Sequence, residues 1–446
     1  MTNVLCGDWH GVLDSGYRRE HLAIRIESSA AGLSGSARPA KQTSDTALTI
    51  ETTGPDTYAI AIPRYDLSLH VTLDASAQRL SGTWRQQGVQ YPLILERGLA
   101  ARTLQPRPQT PTGPFPYLEQ RVTFKNADAI DLAGTLTFPA DVVASPCVVL
   151  AQMLGSPDRD ESFAGHKPFA IWADNLTRRG LAVLRFDKRG AGESDGNHAD
   201  ATTRDFADDL ASAVAYARTR SQIDPRRIGL LGHSEGGNQA AIVAADDRAI
   251  AFCVCLTPSG LTGEETLLNQ MRAMALSAGR SAQESEENVK FEAALYGAVR
   301  RSGNRAEAEA AAKALLLGSA PNGRYSARRA ALRLETLLSP WLRFWLGYDP
   351  RPSLGALQCP VLVVLGAKDQ QTLVATHAAP IRSALAQNGQ AHIHILEGLN
   401  HVLQHAVSGA PSEYGDIEET ISPEVLELVG AWISGGRKSQ TMNCCL

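Results

Sequence analysis

No run of about eighteen apolar residues occurs in this 446-residue chain, so no membrane span is expected. No Cys-x-x-Cys pair occurs either, and the seven cysteines are an odd number scattered along the sequence. Several lie in apolar, strand-like runs, where a free thiol behaves as a small hydrophobe. That excludes a disulfide framework and predicts a reducing compartment, the cytoplasm. A long basic run is also missing. The 43 Lys and Arg stand against 47 Asp and Glu, for a net charge of −4, which argues against a nucleic-acid partner. Residues Met1 to Gly11 lack a basic region followed by an apolar one and do not read as a signal peptide. The terminal Asn443-Cys444-Cys445-Leu446 lacks the cysteine fourth from the end that prenylation needs. No repeat at a solenoid period is visible.

What is present is an ordinary apolar fraction of 43% and a length that favours two or three domains. Residues 1–100 read as a small antiparallel β domain, barrel-like and resembling a lipocalin. Leu22, Ile24 and Ile26 alternate with Ala23, Arg25 and Glu27, and the same period of two recurs through Leu95. Gly7-Asp8-Trp9 and Gly82-Thr83-Trp84 each set a Trp beside an expected turn. Two roles stay open for this domain: a cup for a lipophilic ligand, or a structural or dimerising module that would make the chain a homodimer. Residues 101–117, with Pro106, Pro108, Pro111, Pro114 and Pro116 in or beside them, read as an extended linker.

From residue 118 to 434 strands alternate with helices. Cys147 to Met153, Leu181 to Phe186, Arg227 to Leu231, Ala251 to Leu256 and Pro360 to Leu365 are continuous apolar strands. Such runs between helices imply an α/β architecture with a mostly parallel sheet covered on both faces. The interval 262–350 is helical in texture and reads as a cap. Its aromatic cluster, Trp341, Phe344, Trp345 and Tyr348, would line a pocket or, by preference, form the cap's own core. Residues 435–446 are expected to be disordered.

Gly232-His233-Ser234-Glu235-Gly236 stands between a strand and a helix, the setting of a serine nucleophile on a tight turn. A serine hydroxyl needs a base to take its proton and an acid to orient that base. Asp369 follows the strand ending at Gly366, and His401 follows the strand His392 to Leu396, which completes the order Ser, Asp, His. Glu397 is a rival acid but lies too close to His401. The oxyanion hole is expected from backbone N–H groups of Glu235 and of Met153 or Leu154. His392 and His394 share a strand face, but no third metal ligand accompanies them, and no metal site is expected. Asp187-Lys188-Arg189-Gly190 reads as a turn whose charges pair locally.

These stretches carry a resemblance. Asp158-Arg159-Asp160-Glu161, Gly165-His166-Lys167-Pro168, the run from Arg185 to Ser194, the Ser234 motif, Gly398-Leu399-Asn400-His401 and the run from Ile417 to Leu426 resemble the α/β-hydrolase superfamily. They look most like bacterial carboxylesterases with a helical cap and a small N-terminal β domain. The resemblance implies hydrolysis of a small-molecule ester through an acyl-serine intermediate, with no metal or organic cofactor. Relatives usually carry Gly-Ser-Gly where this chain has Met153-Leu154-Gly155, a bulkier oxyanion loop. Thioesterase, peptidase and acyltransferase chemistry on the same residues are alternatives, and a non-catalytic ligand-binding protein is a third.

Overall fold

A computed structural model describes residues 4–14, 19–29, 32–39, 46–62, 67–86, 89–98, 107–155, 158–318 and 325–435. The chain divides into two compact units, residues 1–104 with 274–336, and residues 105–273 with 337–446. The expected disordered tail lies outside the described residues from 436 onward.

The first unit holds a closed antiparallel barrel. Its strands are β1 (Gly7–Asp14), β2 (Arg19–Ser29), β3 (Gly32–Pro39), β4 (Thr46–Gly54), β5 (Thr57–Ile62), β6 (Leu67–Leu73), β7 (Arg79–Gln86) and β8 (Val89–Arg97). Each pairs with the next, and β1 pairs with β8 to close the ring, which removes any free sheet edge. Alternation puts Ile60, Leu69, Leu80 and Leu95 inside, where they pack with Trp9 and Trp84. Both tryptophans sit within strands rather than beside turns, contrary to the sequence reading. Trp9 is fixed there because its indole N–H donates to Leu5 O (2.8 Å) and the Arg97 guanidinium covers its ring. The sequence reading also left out β3, which among its described side chains gives the interior the buried Ala37 and the partly buried Leu33.

Helices Ala282–Arg301, Arg305–Gly318 and most of Ala327–Leu337 group with the barrel. The first starts at a reciprocal cap: Ser281 Oγ accepts from Glu284 N, and the Glu284 carboxylate accepts from Ser281 N. Arg280 also donates to Tyr91 Oη at 3.0 Å.

The second unit is a covered sheet. Its strands are β9 (Tyr117–Lys125), β10 (Asp131–Pro139), β11 (Ser145–Ala151), β12 (Ala182–Phe186), β13 (Ile223–His233), β14 (Cys253–Leu256), β15 (Val361–Gly366) and β16 (Ala391–Leu396). Their order across the sheet is β16-β15-β14-β13-β11-β12-β10-β9, parallel except for the hairpin end. Helix α1 (Pro168–Arg178) and helix Pro423–Ser434 cover one face, through Phe169, Trp172, Leu176, Val425 and Val429. Helices α2 (Thr203–Arg218), α3 (Glu235–Asp246) and Val374–Ala384 cover the other, through Leu210, Val214, Ala240 and Ile381. This double burial is why β15 is buried at all six positions and reads as an unbroken apolar run.

Two sequence readings change here. Residues 107–116 of the expected linker are tied down: Arg107 donates to Ile417 O and Gly415 O (both 2.7 Å), and Gln109 Nε2 donates to Ile421 O (2.7 Å). The charges of the Asp187 turn do not pair locally. Asp187 accepts from the backbone and side chain of Arg159, and Arg189 forks onto Asp209 at 2.8 and 2.7 Å. Both arginines are largely buried, where a bidentate carboxylate compensates the charge and satisfies two guanidinium donors at once. The partners are 28 and 20 residues away and are set by sheet order.

Candidate active site

Strands running parallel end on one side of a sheet, and the crevice beyond those ends is where α/β proteins place their sites. Here β13 is followed at once by Ser234, β15 by the loop with Asp369, and β16 by the loop with His401.

Ser234 has φ 55° and ψ −119°, in the left-handed region. A non-glycine residue there costs on the order of 1–3 kcal/mol and persists only where its surroundings hold it. Ser234 N donates to Leu256 O (2.8 Å), and Gly237 N donates to Ser234 O (2.9 Å). The flanking glycines are required by contact: a Cβ on Gly232 would collide with Gly236 O, and one on Gly236 with Ala151 O. Gly236→Ala must therefore push α3 off β11. It is expected to cost about 1–3 kcal/mol or more, read as a lower thermal midpoint than the unaltered chain.

Ser234 Oγ donates to His401 Nε2 at 2.9 Å, and His401 Nδ1 donates to Asp369 Oδ2 at 2.8 Å. The second bond decides the first: with its proton on Nδ1, the imidazole offers Nε2 as an acceptor. Asp369 is buried and further accepts from Gln371 N (2.7 Å), Thr372 N (2.8 Å) and Thr372 Oγ (2.6 Å). Burial raises its pKa, but the His401 ring and the Thr372 bonds outweigh that and hold it below the ordinary carboxylate value. The rival acid, Glu397, is exposed.

Glu235 opens α3, and its side chain is buried. Its Oε1 accepts from Thr203 Oγ (2.6 Å) and from the indole N–H of Trp341 (2.9 Å). One member of the aromatic cluster thus lies against the residue after Ser234, while Trp345 is buried and stacks on Trp341. Met153 N donates to Glu161 Oε1 at 2.6 Å, so that amide is already committed. Leu154 lies in the turn that follows. Lys188 Nζ donates to Met153 O at 2.8 Å and bears on the Phe206 ring. Burial draws its pKa down, against the pull of Glu235 and Glu161.

Sequence reasoning passed over Thr372, Thr203, Glu161 and His233. The last two lay in quoted motifs, but nothing in their spacing says that they meet.

Two buried histidines flank this region as neutral rings. His166 Nδ1 accepts from Thr420 Oγ (2.7 Å) and its Nε2 donates to Tyr414 O (2.8 Å). His377 Nδ1 accepts from Gly260 N at 3.0 Å. Burial lowers both pKa values from 6.5 to about 4. The unfolded chain binds these protons first as pH falls, so stability is expected to drop between pH 6.5 and about 4, with no further loss from these rings below that. Urea midpoints across that range measure it, and His166→Gln should flatten the slope.

A family model described as serine aminopeptidase, S33, matches residues 167–318. An uncharacterised 31.7 kDa protein of the traX-finO intergenic region of Escherichia coli is 28% identical over 244 residues, 53% of this chain and 77% of that protein. Quorum-quenching protein AidA of Acinetobacter baumannii is 32% identical over 138 residues, 31% of this chain and 43% of AidA. Esterase EstD of Thermotoga maritima is 30% identical over 145 residues, 32% of this chain and 34% of EstD. Among solved structures, the Pyrococcus furiosus esterase Pf2001 overlaps with a TM-score of 0.43 at 13% identity, over 71% of this chain and 92% of that one. The family match spans residues 167–318 only; the sheet order and covering helices described above are consistent with an α/β-hydrolase fold. Among the described residues no helix is long and apolar enough to cross a membrane.

Proposed function

We propose that the chain is a serine carboxylesterase that cleaves a small carboxylic ester through an acyl-serine intermediate. The observation that carries the reading is the unbroken hydrogen-bond chain from Ser234 through His401 to Asp369, at 2.9 and 2.8 Å. In this reading Ser234 is the nucleophile on its elbow. His401 takes the hydroxyl proton as Oγ attacks the ester carbonyl, then gives it to the departing alkoxide. Asp369 keeps the imidazole in the productive tautomer and stabilises the imidazolium. His401 next takes a proton from water as the water oxygen attacks the acyl carbon, and returns that proton to the departing Oγ, which releases the acid and restores the Ser234 hydroxyl.

The oxyanion is proposed to bind Glu235 N–H, at the N-terminus of α3, and Leu154 N–H. Leu154 is chosen because Met153 N–H is held by Glu161. The name of EstD is consistent with ester chemistry. The family description favours a second reading, an aminopeptidase acting on an amide bond with the same residues. Among the described residues five cysteines are free, three of them buried, which supports the cytoplasm as the setting.

A fluorophosphonate probe is expected to label Ser234. A panel of p-nitrophenyl esters, thioesters and aminoacyl p-nitroanilides should show the largest kcat/KM for an ester. No labelling would remove the enzymatic reading, and a larger kcat/KM for an anilide would replace esterase with peptidase.

A further inference from the structure

We infer that Glu161 and His233 form a proton-sharing pair, His233 as imidazolium and Glu161 as carboxylate, that positions the His401 backbone and the Met153 amide around Ser234. The inference rests on the reading of Ser234 and His401 just given. Neither residue of the pair touches the reacting atoms, so both are positioning residues.

The hydrogen-bond partners require the proton. His233 Nε2 lies 3.0 Å from His401 O, and a carbonyl oxygen accepts only, so Nε2 carries hydrogen. His233 Nδ1 lies 3.0 Å from Glu161 Oε2. A neutral ring protonated on Nε2 would point a lone pair at an ionised carboxylate, which is repulsive. One further proton must lie between them. Glu161 Oε1 already accepts Met153 N–H at 2.6 Å, which favours the ionised carboxylate and leaves the proton on Nδ1. Glu161 is 0% exposed and His233 4%, a depth at which a charge persists only if paired.

The surroundings agree. Burial alone would lower the His233 pKa, but the Glu161 carboxylate, the His401 carbonyl and the more distant Asp369 carboxylate raise it above its ordinary value. A second cation, Lys188, also interacts with the Glu161 carboxylate. The backbone of Glu161 is held at φ 55°, a conformation that nothing in a free loop would favour.

The pair spans the site. One carboxylate oxygen fixes the loop that carries Met153 and Leu154, and the other, through the imidazolium, fixes the backbone of the base. His401 O also accepts from Thr257 Oγ at 3.0 Å, so two donors hold it. Without the His233 bond the His401 carbonyl keeps only the Thr257 donor, and the backbone that carries the ring is held less tightly.

The test uses the full chain with its histidines labelled with 15N. At pH 7 the His233 resonances, assigned by their loss in His233→Asn, should show both ring nitrogens protonated. A single unprotonated nitrogen would overturn the pair. The measurement is made on the resting protein and does not depend on esterase activity, so it separates failure of the pair from failure of the functional reading. In parallel, Glu161→Ala should lower kcat about 10- to 100-fold with KM within about 3-fold, because the reacting groups are displaced while the pocket remains. Glu161→Gln can accept Met153 N–H through its carbonyl and donate its amide N–H to a neutral His233. It should recover most of that kcat. Equal losses in both variants, or no loss in either, would sink the positioning role. Thermal midpoints of both establish that each is folded.

Discussion

Ser234→Ala is expected to lower kcat for a short-chain p-nitrophenyl ester by on the order of 10⁶-fold, the scale seen when the nucleophile of a catalytic unit is deleted. KM should stay within a few-fold, because removing Oγ leaves the pocket walls in place. The size of the loss follows from the site's construction. The hydroxyl meets His401 Nε2 at 2.9 Å, and no other described serine or threonine hydroxyl is bonded to that nitrogen. Alanine also relaxes nothing useful, since the strained backbone at φ 55° is set by Gly232, Gly236 and the neighbouring strands rather than by the serine side chain. Activity equal to that of the unaltered chain would mean that the reaction runs elsewhere. Loss of fluorophosphonate labelling together with an unchanged thermal midpoint ties the effect to the oxygen and not to misfolding.

Asp369→Asn should lower kcat by about 10⁴-fold while leaving the fold intact. The reason lies in which oxygen does what. Oδ1 accepts two backbone N–H groups, from Gln371 and Thr372, and Oδ2 faces His401 Nδ1. An asparagine keeps its carbonyl toward the two amides and turns its NH₂ toward His401. The ring must then accept at Nδ1 and carry its proton on Nε2, where it can no longer take one from Ser234. The check is kcat at neutral pH together with a thermal melt. A melt near that of the unaltered chain with a collapsed kcat is the expected result, and a modest loss of a few-fold would remove Asp369 from the orienting role.

The parts of the site legible in the sequence are those governed by short-range geometry. The Ser234 turn shows because two glycines are forced by contacts within four residues and with one adjacent strand. Asp369 and His401 show because each follows an apolar strand of a parallel sheet, and such strands end on one side. Trp341 stands out in the sequence as part of an aromatic cluster, yet its bond to Glu235 joins residues 106 apart and has no local signal. The helical texture of 262–350 was equally visible, whereas the grouping of residues 274–336 with the barrel was not.

Periodicity and order along the chain thus determined a small antiparallel alternating domain, a mostly parallel covered sheet, and three polar residues each just past a strand, while the count of eight strands and the closure of the barrel came from the structure. Tertiary structure alone decided which partners the charged side chains meet: Glu161 with His233, Asp187 with Arg159, and the half-buried Arg107 with the carbonyls near Ile417. The physical reason is that backbone periods are set within a few residues, while a buried ion must find its partner wherever sheet order brings one. Those pairings span 72, 28 and 310 residues, beyond the reach of any repeat in the sequence.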